Sequence, residues 1–404
     1  MSDGKANATA LGDLRVLDLA GPMGLYCTKQ LADLGADVIK IEPPGGDPTR
    51  AIGPFYQDEP HPDKSLYWFH FNTNKRSITL DIESPDGGEI LKKLAKTADI
   101  MVETFQPGYL DRIGLGYSAL KEINPGLILT SITPFGQTGP YKDFKASDII
   151  SLAMGGLVFI CGWPDEPPTT CAGSQAYHVA SIHACAGTLL ALYHRDMTAE
   201  GQHVDVSMQQ CVAHSLQWVT QMHDLQNRIM ARSGRLGVPL NECKDGWAMI
   251  IPMVDWDLFV GWLESGGGAA DLTTDERYRD HEYQIRPEVR QHIIEVTDAF
   301  TKAHDKKWVC EEGQKRHVIA IPCNNAKDLV ENPQLVSRGF FVDVDHPELG
   351  DTLKYPGAPY RFAETPWRIA RRAPLIGEHN LDIYGKELGF TPEQMALLKG
   401  LGVI

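Results

Sequence analysis

The stretch PPTTCAGSQAYHVASIHACAGTLLALYHRDMTAEGQHVDVSM, Pro167 to Met208, organises the chain. It reads as a small-residue loop, a long apolar helix, a tight turn at Thr198-Ala199-Glu200-Gly201-Gln202 and a strand from His203 to Met208. Between Val179 and Tyr193 the residues are small or apolar on nearly every face, the pattern of a helix buried all round. The N-terminus of such a helix presents unpaired N–H groups and the positive end of the peptide dipoles. An anionic group, or a negative charge that develops in a reaction, belongs there. The residue at that place is Tyr177.

Working outward, 404 residues are enough for a large core and predict two domains. A hydrophobic share of 43% and a charged share of 23% are those of an ordinary globular protein. The net charge of −15 argues against nucleic acid and anionic membrane surfaces as partners. It leaves room for an anionic ligand held by a few local cations. No apolar run reaches membrane-spanning length, and the first residues, MSDGKANATA, lack a signal-peptide pattern. The eight cysteines contain no C-x-x-C pair and mostly sit in apolar surroundings, which predicts buried thiols in a reducing cytoplasm.

Upstream, LRVLDL (14–19), a helix closing at Gly35 and DVIKIE (37–42) have β-α-β spacing and predict a parallel strand pair. The turn Ala20-Gly21-Pro22-Met23-Gly24 lacks the G-x-G-x-x-G spacing that cradles a dinucleotide, which argues against nicotinamide or flavin chemistry. Further strands are expected at 78–82, 99–104 and 127–132. A helix opens at Ser84-Pro85, with Ser as cap and Pro in the first turn, and another opens at Asp148. The alternation predicts an α/β domain on a mostly parallel sheet. After Asn227 the texture changes to a short strand pair near Gly246 and helical segments, with Gly266-Gly267-Gly268 as a helix-ending loop. Short strands return between Gly339 and Phe362, and a closing helix is expected near 392–399.

Few residues announce chemistry. His183 reads as a hydrogen-bonded core histidine, and His194 sits where a helix end favours a cation. No H-E-x-x-H, Cys/His cluster or G-x-S-x-G occurs, so neither a metal site nor a hydrolase triad is expected. Lys75-Arg76 and Arg112 read evenly as solvated surface or as functional cations, and Asp148 as a helix cap.

Six runs then carry a resemblance: LADLGADVIKIEPPGGDPTR (31–50), NTNKRSITLDIESPDG (72–87), VETFQPGYLDRIGLGY (102–117), NPGLILTSITPFGQTGP (124–140), ALYHRDMTAEGQHVDVSM (191–208) and APLIGEHNLDIYGKELGF (373–390). Together they resemble the class III CoA-transferases, the CaiB/BaiF family, over nearly the whole chain. The resemblance implies a Rossmann-like large domain from both chain ends (1–226 and 333–404), a smaller α+β domain (227–332) and two chains interlocked as rings. It implies coenzyme A thioesters as substrates, with no tightly bound cofactor. In the family's transferases an aspartate attacks the thioester, becomes an acyl anhydride and is then converted to an aspartyl-CoA thioester that the acceptor acid resolves. A carboxylate suits this task because its acyl derivatives stay activated.

Aligned through R-x-x-T-x-x-G-Q, the aspartate's position falls on Tyr177. A phenol titrates near ~10 and forms no anhydride. The His and Asp of the racemase branch correspond to Ser147 and Tyr177. Around CoA the resemblance places Leu80, Thr104, Phe105, Arg112 and Lys145, with Thr104 standing for an asparagine and Glu83 for a lysine. Asp148 stands where a transferase keeps an acid close to the nucleophile.

The reading that results is a nucleophile-lacking subunit, resembling the non-catalytic member of a two-subunit succinyl-CoA:benzylsuccinate-type transferase of aromatic degradation. It would support a homologous catalytic chain in moving CoA from succinyl-CoA to an aromatic or dicarboxylic acid. Two other readings stay open. One is a self-sufficient homodimer using Asp148 or a carboxylate from its partner; the other is a CoA-binding or scaffold protein without turnover.

Overall fold

The computed structural model describes residues 9–252 and 255–404. They form two units, one made of residues up to 157, 171–218 and 337–404, the other of 158–170 and 219–336.

The first unit is built on a six-stranded sheet of β1 (Arg15–Leu19), β2 (Asp37–Glu42), β3 (Arg76–Thr79), β4 (Ile100–Glu103), β5 (Ile128–Thr133) and β6 (His203–Ser207). The order is β3-β2-β1-β4-β5-β6, and every neighbouring pair is parallel. The chain is thus a mixed α/β protein with a parallel sheet, as the alternation of the sequence predicts. β4 and β5 are buried along their whole length, which is why they read as unbroken apolar or small-residue runs rather than alternating ones. Strand order reverses between β1 and β4, the place where open α/β sheets leave a crevice beyond the strand ends.

The helices of the first part are α1 (Leu25–Asp33), α2 (Leu66–Phe71), α3 (Pro85–Ala95), α4 (Tyr109–Arg112), α5 (Tyr117–Ile123), α6 (Asp148–Met154), α7 (Leu157–Ile160), α8 (Gln175–Thr198) and α9 (Met208–His214). α3 starts as expected, with the Ser84 hydroxyl accepting from the Gly87 N–H and Pro85 in the first turn. α1 is followed by Gly35 at φ +103°, a conformation that disfavours a side chain. Gly201, in the turn after α8, leaves no room for one, since a Cβ would stand 2.1 Å from the Leu127 carbonyl oxygen.

The second unit has a three-stranded antiparallel sheet, β7 (Leu240–Cys243), β8 (Gly246–Ile251) and β9 (Ile319–Pro322). Its core gathers Phe259, Trp262, Val309 and Ala320. In the last part, β10 (Phe341–His346) and β11 (Asp351–Pro356) form a hairpin. The chain then returns to the outer strand β3. The Ser77 N–H donates to His379 Nδ1 (3.2 Å), Asn380 donates to the Thr79 hydroxyl (2.8 Å) and the Tyr384 hydroxyl donates to the Thr79 carbonyl (2.6 Å). Ile383, Tyr384, Val403 and Ile404 join Leu17, Ile39, Ile78 and Met101 in one core.

Two expectations are corrected. Lys75 and Arg76 are not solvated surface. Lys75 is fully buried, its ammonium bonded to Asp18 (2.8 Å), Thr28 (2.8 Å) and Asn72 (3.0 Å). Arg76 bonds Asp37 and Glu387. Burial pulls the Lys75 ammonium down to about 8 despite Asp18. The second correction concerns α8, which is not buried all round. It packs on α1, α6, α9, β5 and β6, but Ile182 (49% exposed), Leu190 (70%), Tyr193 (66%) and Met197 (63%) stay open on its other side. No described element of its own chain covers that stripe.

Candidate active site

α8 begins without a cap of its own. Ser174, the residue before it, has φ +53°, and its side chain caps nothing. The missing acceptor comes from another helix. The Asp148 carboxylate, in the first turn of α6, accepts from the Ala176 N–H (2.8 Å) and, at a longer 3.4 Å, from the Tyr177 N–H. The anion that the helix end attracts is therefore the chain's own. This refines the cap assignment, because Asp148 closes α8 whereas α6 is preceded by Ser147.

Tyr177 is half-buried, and loss of solvent together with the charge of Asp148 pushes its phenol above the ordinary range. A second phenol stands near it. Tyr67, from α2, is raised well above its ordinary range by burial first and then by Tyr177, Asp47 and Asp148. The next residue, His178, donates from Nδ1 to the Ser174 carbonyl (3.0 Å), and its ring lies 5.3 Å from Tyr26 and 5.7 Å from Phe71. Asp165 and Glu166 belong to the other unit. Around the start of α8, then, two phenols meet one carboxylate already bound to backbone. A carboxylate can attack a thioester; a protonated phenol cannot hold an acyl group in comparably activated form.

Of the residues that the resemblance assigns to CoA, Thr104 and Phe105 follow β4 and Leu80 follows β3, whereas Arg112 lies in α4 and Lys145 on a loop. At the reversal of strand order the Thr104 hydroxyl accepts from the Gly21 N–H (2.7 Å), tying the end of β4 to the turn after β1. Phe105 lies 4.6 Å from Tyr109, and the Arg112 guanidinium stands 5.6 Å from the Tyr109 ring. The Tyr109 hydroxyl donates to Glu83 (2.7 Å). Leu80 is buried in the core against which Phe105 and Tyr109 pack. Phe105 and Arg112 are thus grouped around Tyr109. Lys145 is exposed on the loop before α6, with no ion pair among the described residues.

One arrangement escapes sequence reasoning. Glu103, the last residue of β4, accepts from the Phe105 N–H (2.6 Å) and from the Ser131 hydroxyl, and Ser131 also meets His203 Nε2 (2.8 Å). Burial pushes Glu103 up to about 7. Strand register places Glu103 opposite Ser131 and Ser131 opposite Asp205, so aligning the strands side by side would have exposed the row. Among the described residues no cluster could hold a metal ion, and no helix is long and apolar enough to cross a membrane.

Comparison with known proteins adds the family context. A sequence model described as CoA-transferase family III matches residues 11–380. The chain is 35% identical to the succinyl-CoA:(R)-benzylsuccinate CoA-transferase subunit BbsE of Thauera aromatica, over 96% of this chain and 97% of that one. It is 30% identical to the succinyl-CoA–L-malate CoA-transferase beta subunit of Chloroflexus aurantiacus, covering all of both. A CAIB/BAIF family protein from Brucella suis superposes with a TM-score of 0.85 at 30% identity, over 94% of this chain and 100% of that one.

Proposed function

The chain belongs to CoA-transferase family III, and from that premise we propose that it is the subunit without a nucleophile in a two-chain, cytoplasmic CoA-transferase. The complex moves CoA from an acyl-CoA, with succinyl-CoA the favoured donor, to an organic carboxylic acid, aromatic acids included. The observation that carries this reading is the side-chain set at the start of α8. Tyr177 stands at the nucleophile position, and the carboxylate beside it is bonded to the Ala176 N–H. The names of two relatives support a subunit role, since each is described as one subunit of its enzyme. In this reading CoA is a substrate that rests near Leu80, Thr104, Phe105, Arg112 and Lys145.

The apolar stripe on α8 fits the same reading. Ile182, Leu190, Tyr193 and Met197 form the kind of uncovered apolar face that marks a protein interface. The homologous catalytic chain, interlocked with this one, would cover it.

The deciding experiment measures CoA transfer from succinyl-CoA to benzylsuccinate and to dicarboxylic acids, with the purified chain and with the chain co-expressed with a homologous subunit. Transfer only in the mixture is expected. Transfer by the chain alone, together with a covalent CoA thioester on it, would sink the reading.

Asp148 favours a second reading, because its carboxylate lies at the same helix end as Tyr177. A homodimer using it as nucleophile would turn over alone and lose activity in Asp148→Asn.

A further inference from the structure

One face of α1, carrying Tyr26 and Lys29, looks onto a cavity of about 250 Å³ whose other walls include His70, His178, Phe340 and Tyr360. The walls are largely rings. Tyr26 and His178 meet edge-on at 5.3 Å, and His70 lies 4.6 Å from Phe71. An apolar cavity of ~150 Å³ is enough to admit benzene, so the space holds a substituted ring.

The charges facing this space cancel. The Lys29 ammonium is bonded to Asp33 (2.8 Å) and Thr73 (2.6 Å), and Asp33 is held in turn by Thr73 and Asn74. Burial first, then Lys29 and His178, push His70 down to about 4, so the imidazole is neutral near pH 7. No cation is left over for a carboxylate. What remains available is neutral: on the half-buried lining residues His70, Tyr26 and Tyr360, the ring nitrogens and the two hydroxyls have no hydrogen-bond partner among the described residues. They keep some access to solvent, and a ligand hydroxyl can take the place of that water.

The wall on the C-terminal side is set by packing. The Gly357 N–H donates to the Phe340 carbonyl (2.7 Å), and the Trp367 ring lies so close to Gly357 that a Cβ there would fall 1.7 Å from it.

We propose that this cavity is a binding site for a small aromatic molecule bearing one uncharged hydroxyl, the ring lying among Tyr26, His178, Phe340 and Tyr360 and the hydroxyl meeting His70 and a tyrosine hydroxyl. The site goes beyond the transferase reading, since it needs neither a thioester nor a nucleophile.

Isothermal titration calorimetry of the full chain, in the oligomer it forms, tests this with benzyl alcohol as the probe and with cyclohexylmethanol and succinate as comparators. Benzyl alcohol is expected to bind saturably, cyclohexylmethanol more weakly and succinate not at all. Ala358→Trp, which fills the space, should weaken benzyl alcohol by about an order of magnitude with the melting temperature unchanged. Should that variant melt early, His70→Phe and Tyr360→Phe, which remove only hydrogen-bonding groups, are each expected to weaken binding several-fold. The proposal is overturned by absence of saturable benzyl alcohol binding at millimolar concentration, by binding that survives Ala358→Trp in a natively melting protein or both phenylalanine variants, or by succinate binding as well as the alcohol does. A failed transferase assay does not bear on it.

Discussion

Asp148 does two things that pull against each other. As the acceptor for the Ala176 N–H it supplies the cap that Ser174 cannot. It is also a carboxylate at the helix end that carries Tyr177, the residue proposed to stand in the nucleophile's place. Asp148→Ala should destabilise the chain by about 1 kcal/mol, the usual worth of a helix cap, in urea unfolding. If Tyr177 replaces the nucleophile as proposed, Tyr177→Asp should give the isolated chain a detectable CoA-thioester adduct in mass spectrometry after incubation with succinyl-CoA; no adduct would count against a simple one-residue loss. Glu103 makes a pH prediction. Its carboxyl is raised from 4.5 to about 7 by burial, so the fold holds a proton there that the unfolded chain releases. The associated stability is full below pH 4.5, falls as pH rises to 7 and is constant beyond, a change of up to roughly 3 kcal/mol. Unfolding free energies of the wild type and Glu103→Gln should therefore diverge between pH 4.5 and 7 and run parallel above.

At the scale of elements, much was legible. β2, the start of α3 and the glycine ending α1 all follow from local pattern, because strand alternation, caps and breakers act over a few residues. β3 was read two residues late, since Arg76 and Ser77 looked like the end of a polar loop. The side-chain partners were not legible. Lys75 meets Asp18 across 57 positions and Asp148 meets Ala176 across 28, and nothing local in the sequence encodes either pairing. The apolar pattern of α8 was read correctly but assigned to the wrong cover, because periodicity says that a face is apolar without saying whose surface meets it. Leu190→Lys or Tyr193→Glu should leave the melting of the chain nearly unchanged while reducing its assembly in light scattering. Unaltered assembly in both would remove the stripe from the interface. Gly201→Ala, by contrast, should cost about 1–3 kcal/mol, the range for an overpacked site, because its Cβ would press on the backbone of Gly126 and Leu127, which cannot rotate away.

Taken whole, the first unit is a sheet built by residues 15–207 whose outer strand is covered by the C-terminal segment. The bond from Tyr384 to Thr79 joins residues 305 positions apart, and Asp81 donates to the Val403 carbonyl (2.8 Å). This has a consequence in time. During synthesis β3 waits some three hundred residues for the segment around Tyr384 that seals its outer flank. Non-local closure of this kind is slow and leaves the growing polypeptide prone to aggregate until that segment arrives. Chaperones that occupy that flank during translation are therefore expected to raise the yield of folded protein.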